Sequence, residues 1–192
     1  MKEKVSILTQ EIISQYYFTL KKITFQMKMS NNQLQLLQRE VYHNKDGVTI
    51  LLYNKQQRTI LLTRQFRLST YLNKNATGFL IESCAGALDE DDPEACVMRE
   101  VQEETGFEVT GLSKAFSAYM SPGNSTEILH YFIGTYSKNR KPAKGGGKSE
   151  EQEDIEVLEL DFDHAFGMIG TGEIKDANTI LLLQYLKLNN VF

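Results

Sequence analysis

The sequence predicts a mixed α/β domain preceded by an antiparallel β extension. Three observations carry this. Residues 93–105 read as one helix with a start signal before it and a stop signal after it. Hairpin-like apolar runs separated by polar turns fill the chain ahead of that helix. Strand-like and helix-like segments then alternate to the end, without an internal repeat. A chain of 192 residues is long enough for one well-buried core with material left for the extension.

Residues 5–14 are apolar-rich, with Val5, Ile7, Leu8, Ile12 and Ile13. Residues 16–29 alternate well enough to predict a strand, Asn31-Asn32 marks a turn, and 34–42 reads as a return strand. Residues 47–53 form a buried-strand candidate, 54–58 a polar turn and 59–66 another strand. Residues 79–83 predict a short strand that runs directly into an Ala85-Gly86 loop. Asp92 suits a helix N-cap, Pro93 the first helical position and Gly106 the C-terminal stop. Residues 112–119 and 127–136 read as strands joined through Ser121-Pro122-Gly123. Residues 137–154 are polar, Gly-rich and charged, a basic half followed by an acidic half, and predict a mobile loop. Residues 155–160 give the last strand, 164–169 start a short helix ended by Gly170 or Gly172, and 178–188 form a C-terminal helix with a broad apolar face. The expected division is residues 1–45 as the β extension and 46–192 as the main domain.

Composition bounds the function. Net charge is only −4, so no broad attraction to nucleic acid is implied. Lys2, Glu3, Lys4, Gln10 and Glu11 interrupt any signal-peptide core, and no apolar run approaches membrane-spanning length. Cys84 and Cys96 are too few for a zinc site. Buried free thiols in a cytoplasmic protein are the expectation, with a disulfide as the alternative.

The segment Arg-Glu-Val-Gln-Glu-Glu-Thr-Gly-Phe at 99–107 is the most informative. It places Glu100, Glu103 and Glu104 at i, i+3 and i+4, on one helix face. They also sit in the last turns, where the helix dipole disfavours carboxylates. A cluster that works against its own helix points to a compensating cation, and hard divalent ions prefer oxygen ligands. The competing reading is a solvated acidic face, partly neutralised by Arg99, that serves only for protein docking.

These residues resemble the core of the Nudix box, G-x5-E-x7-R-E-U-x-E-E-x-G-U with U apolar. Arg99, Glu100, Glu103, Glu104 and Gly106 match. Counting back from Arg99 puts Asp91 at the expected Glu and Ala85 at the expected Gly, with Gly86 one position late. Pro122, sixteen positions beyond Gly106, resembles the mark of the ADP-ribose pyrophosphatase branch. Within that branch the chain is most similar to the GDP-mannose pyrophosphatases. This likeness rests on Tyr-Phe-Thr-Leu at 17–20, Arg-Glu-Val-Tyr at 39–42, Arg-Gln-Phe-Arg at 64–67, Ile-Glu-Ser-Cys-Ala-Gly at 81–86 and Asp-Ile-Glu-Val-Leu-Glu-Leu at 154–160.

The resemblance implies a Nudix fold, mixed sheets sandwiched by helices, and a homodimer that exchanges its N-terminal strands. Tyr17, Gln38, Arg39 and Glu40 match nucleotide contacts across the dimer interface, and Arg67 matches a substrate-phosphate contact. Ala85 (through its backbone), Glu100 and Glu104 match metal ligands, with Gly86 and Ala87 completing the approach to substrate. Glu127 matches a substrate or metal-shell position. Glu153 matches a residue that completes the metal site or acts as base when its loop closes. This loop is slightly longer than the family pattern, so Gln152 stands where an acid is expected, and Glu151, Glu153 and Glu103 remain alternatives for the base. Asn178 stands where a substrate-contacting Lys is expected.

The implied chemistry is Mg²⁺-dependent hydrolysis of a nucleoside diphosphate sugar, with Mn²⁺ as the alternative ion and GDP-mannose as the expected substrate. ADP-ribose or a broader set of nucleotide sugars is the enzyme-class alternative. A nucleotide-binding sensor of the same fold is the non-enzyme alternative, against which the three intact box acids argue. No nucleic-acid or membrane partner is expected.

Overall fold

The computed structural model describes residues 4–16, 18–88 and 92–192. It divides the chain into two compact units. One comprises the chain up to Asp46 together with Ala118–Leu129; the other comprises Gly47–Ser117 and His130–Phe192.

In the first unit, β1 (Val5–Gln15), β2 (Thr19–Lys28) and β3 (Leu34–His43) form an antiparallel sheet in sequence order. Asn32, in the left-handed region, makes the turn between β2 and β3. The later segment hooks onto the end of β3 through Tyr42 N–H to Asn124 O, Thr126 N–H to Tyr42 O, and Ile128 N–H to the Asp46 carboxylate. Every residue of β1 is exposed. Its apolar side chains cover both faces of the strand, so alternation does not give this sheet one wet side and one dry side.

In the second unit, β4 (Gly47–Asn54) is buried over its first six residues. Such a strand is covered on both faces. The helices α2 (Pro93–Thr105) and α4 (Ala177–Leu188) both pack on it. Val48, Ile50 and Leu52 join Cys96, Val97 and Val101 of α2, with Phe107, Phe132 and Tyr136, in one core. Leu182, Leu183 and Leu186 of α4 are fully buried. Each such side chain contributes about 1.5–3 kcal/mol on burial.

The sheet order is β10-β5-β4-β9-β8, with β5 Thr59–Phe66, β8 Thr110–Tyr119, β9 Ile128–Thr135 and β10 Glu156–Asp161. Two further strands fill a split in it. β4 pairs with β5 only over Leu52–Asn54. Beyond that point β6 (Phe79–Glu82) pairs with β5 and β7 (Cys84–Ala87) pairs with β4. Residues 84–87 are therefore a strand wedged into the sheet, which corrects the loop expected at Ala85-Gly86. Ser83 lies at the changeover, where the N–H has no ladder partner. It donates instead to the Thr179 hydroxyl at 2.6 Å, and Thr179 donates to Asp176, the N-cap of α4. A buried hydrogen bond between Thr49 and Ser83 completes this polar connection at 2.8 Å.

Helix α2 follows its local signals. The Asp92 carboxylate accepts from the N–H of Glu94 and Ala95, Pro93 opens the first turn, and Gly106 closes the helix at φ +77°. A Cβ at Gly106 would strike the Ala143 carbonyl. Gly106→Ala should therefore lower stability by about 2–3 kcal/mol, roughly 5–10 °C in Tm, measurable by calorimetry. An unchanged Tm would show that this backbone contact is not maintained in solution.

Two short elements differ from expectation. The helix α1 (Leu68–Leu72) has no side-chain cap to announce it. The helix α3 (Phe162–Thr171) starts before His164 because Asp161 is its N-cap, and it ends at Gly172. No helix among the described residues is long and apolar enough to cross a membrane. Cys84 and Cys96 are free and buried, which settles the open thiol question.

Candidate active site at the box helix

The three box acids occupy the last turns of α2, as their spacing requires, but their surroundings differ. Glu104 is only 2 % exposed, and its Oε2 has no hydrogen-bond partner. Burial raises its pKa to about 8; Glu100 and Glu153 push the same way, while a thiol hydrogen bond from Cys84 and the Ala85 N–H act against the rise. Glu100 is half-buried, and burial lifts its pKa against the pull of Arg99, which it meets at 2.9 Å. Glu103 is paired with Arg99 at 3.2 Å and with Lys148 at 2.9 Å.

Gly86 explains the displaced box glycine. A Cβ there would fall on the Glu100 carboxyl. The wedged strand β7 thus runs so close to α2 that a side chain at position 86 would have to displace the Glu100 carboxyl. Gly86 fills the structural role that counting assigned to position 85.

The segment after β9 is fastened to the end of α2. Gly146 N–H donates to Glu104 O at 2.8 Å, Gly147 N–H to Glu103 O at 3.1 Å, and Ala143 N–H to Gly106 O at 3.2 Å. These donors satisfy carbonyls that a helix C-terminus leaves unpaired. The expected mobile loop is hydrogen-bonded at this point and carries a short 3-10 turn at Ser149–Glu151. Gln152 follows it, exposed, in the left-handed region. Glu153 is partly buried, and its Oε2 accepts from Lys148 N–H at 3.0 Å. Its charge acts on both Glu100 and Glu104, so the structure brings this predicted residue to the box acids.

Other expected site residues are distributed as follows. Arg67 donates from Nε to Glu82 at 2.8 Å. Asn178, at the start of α4, accepts from the buried Tyr131 hydroxyl at 2.6 Å. Ala85, Gly86 and Ala87 pair with Thr49, Val48 and Gly47. Gln38, Arg39 and Glu40 lie exposed on β3; Gln38 bonds to Thr24, and Arg39 folds back onto the Gln38 carbonyl. Glu127 belongs to the same unit, and burial with Asp46 nearby raises its pKa. Tyr17 and Asp91 lie outside the described residues. Sequence reasoning missed Glu82 and Lys148, whose roles come from partners distant in sequence.

The donor set suits a hard divalent cation. A buried carboxylate oxygen without a partner, with two further carboxylates acting on it, is costly to ionise alone and is stabilised by positive charge. Among the described residues no three His, Cys, Asp or Glu side chains are drawn together tightly enough to close a metal site. Arg99 and Lys148 pair with acids in this cluster and provide part of its compensating charge.

The NUDIX domain family matches residues 43–180, well over half of the chain. The chain belongs to the Nudix family. Hydrolases of this family generally use divalent metal ions. Residues 4–42 match a second family, described as the GDP-mannose pyrophosphatase NudK N-terminal domain. The chain is 48 % identical to the GDP-mannose pyrophosphatase of Escherichia coli (strain K12), over 100 % of this chain and 99 % of the relative. The same identity and coverage hold for the GDP-mannose pyrophosphatase of Shigella dysenteriae serotype 1 (strain Sd197). A solved structure of an ADP compounds hydrolase superposes with a TM-score of 0.76 at 17 % identity, covering 99 % of this chain and 98 % of that one. It supports the Nudix fold expected from the box.

Proposed function

We propose that this Nudix enzyme hydrolyses the diphosphate bond of GDP-mannose, giving GMP and mannose 1-phosphate, with Mg²⁺ required and Mn²⁺ able to replace it. The carrying observation is Glu104, buried with an unpartnered oxygen beside Glu100 and Glu153 at the end of the box helix. The sugar nucleotide is supported by the full-length similarity to GDP-mannose pyrophosphatases.

Glu100 and Glu104 with the Ala85 backbone, completed by Glu153, would hold a divalent cation, which would supply charge neutralisation for the diphosphate and a lowered pKa for the attacking water. Glu153 takes the water proton as the oxygen attacks phosphorus. The bridging P–O bond breaks, and the departing phosphate leaves as a monoester. Arg67 and Arg39 orient the phosphates by forked hydrogen bonds, Glu82 fixing the angle of the Arg67 guanidinium. Gly86, Ala87, Gln152 and Asn178 line the approach, while Tyr17, Gln38, Glu40 and Glu127 contact the nucleotide or complete the shell around it. Two free cysteines fit a cytoplasmic location. The test is a panel of nucleotide sugars, ADP-ribose included, assayed with and without Mg²⁺. Fastest release from GDP-mannose is expected. Binding without cleavage would favour a sensor, and a faster reaction with ADP-ribose would reassign the substrate.

The functional unit in this reading is a homodimer, with residues 1–45 as the extension that serves dimerisation and 46–192 as the hydrolase domain. Val5, Ile7, Leu8, Ile12, Ile13, Leu34 and Leu36 are each 41–68 % exposed on the N-terminal sheet. Apolar strands left open on both faces are normally covered by another chain. Sedimentation should give a dimer at micromolar concentration. An active monomer there would remove the cross-subunit role of Arg39.

A further inference from the structure

We propose that Lys148 is the resident counter-ion of the box acids and the residue that fastens the Glu153 segment to the box helix until a divalent cation takes over that charge. This rests on the metal-dependent reading above.

Lys148 ties together two parts of the site by different atoms. Its Nζ lies 2.9 Å from Glu103 Oε2, on the helix. Its backbone N–H donates to Glu153 Oε2 at 3.0 Å, and its carbonyl accepts from Glu153 N–H at 3.1 Å. Removing the ammonium therefore cuts the side-chain link to the helix and leaves the link to Glu153, with the Gly146 and Gly147 N–H bonds to the helix end still in place. The strap that delivers Lys148 is in backbone contact with the helix end. A Cβ at Gly145 would strike Thr105 and Gly106, and one at Gly147 would strike Glu153. The ammonium is thus carried to the acids by a built approach, which a freely swinging surface lysine would lack. Its charge also acts on Glu100. Arg99 pairs with Glu100 and Glu103 as well, but it lies on the same helix as both. Lys148 comes from a segment outside the helix and makes the neutralisation part of that segment's attachment.

Glu100, Glu104 and Glu153, if they held a divalent cation, would bring its charge into competition with this ammonium, and the Lys148–Glu103 pair would weaken on ion binding. By reciprocity the pair weakens ion binding by the same factor. Lys148 is a positioning residue in this scheme and touches no reacting atom.

Lys148→Met keeps the aliphatic stem and the backbone groups while removing the charge; Lys148→Gln is a second neutral variant. Titration of the substrate-free protein with Mn²⁺ alone, followed by calorimetry, should show about threefold to fivefold tighter binding in both variants, the size a part-exposed ion pair allows. In the metal-free protein, amide exchange at Gly146, Gly147, Glu153 and Ile155 should quicken by a similar factor. Lys148→Arg should restore wild-type values of both. Unchanged or weaker Mn²⁺ binding in the neutral variants overturns the counter-ion role, and unchanged exchange overturns the fastening role. A wild-type protein that binds Mn²⁺ but cleaves no nucleotide sugar defeats the proposed function while leaving both readouts of Lys148 intact.

Discussion

Replacing Glu104 with Gln is expected to lower turnover about a thousandfold or more while the fold survives. The amide keeps the shape of the carboxyl and removes the charge that its unpartnered Oε2 offers to a cation. The same change should alter how stability depends on pH in the metal-free protein. Burial first, then Glu100 and Glu153, raise the folded pKa to about 8 from the ordinary 4.5. The folded state therefore holds this proton more tightly than the unfolded state does. The resulting stabilisation is complete below pH 4.5 and is lost as pH rises through about 8. Gln has no proton to lose, so the variant should lose less stability across that window and be the more stable form at its upper end. Denaturant titrations at several pH values, beside steady-state rates at saturating Mg²⁺, check both halves. Near-native turnover would remove Glu104 from the metal site and favour the docking-surface reading of the helix.

The second large effect is expected at Glu153. Glu153→Gln should reduce kcat by about a hundredfold to a thousandfold with little change in KM, because a proton acceptor acts mainly in the transition state. Glu151→Gln should change either constant by no more than about threefold, the level of a group outside the reaction. The choice rests on position. Glu153 is held by Lys148 N–H two residues before Ile155, whose N–H is fixed to Gly146 O, and its charge reaches Glu100 and Glu104. Equal and small losses from both variants would move the base elsewhere, with Glu103 next in line.

What could be read from the sequence was local. Asp92, Pro93 and Gly106 mark both ends of the box helix, so its extent matched the structure. The strand Thr59–Phe66 was equally plain from its apolar run between polar turns. Cys84–Ala87 was not legible, because Cys-Ala-Gly-Ala carries little intrinsic strand preference; the split between β4 and β5 makes it a strand. Gly86 gained its meaning only when Glu100 was found against it. Residues 137–154 read as mobile from glycine and charge, yet their N–H groups find helix carbonyls some forty residues back in the chain. The box acids were visible as a pattern. Their inequality, with Glu104 buried and unpartnered and Glu103 paired to two cations, is a product of packing.

The central claim is cleavage of a sugar-nucleotide diphosphate at phosphorus, and ³¹P NMR of GDP-mannose incubated with the enzyme tests it most directly. With Mg²⁺ present, the two diphosphate resonances should give way to two phosphomonoester resonances in equal amounts, those of GMP and mannose 1-phosphate, and with chelator added they should persist. Release of GDP with free mannose, or no change in the spectrum with Mg²⁺ present, would contradict the account.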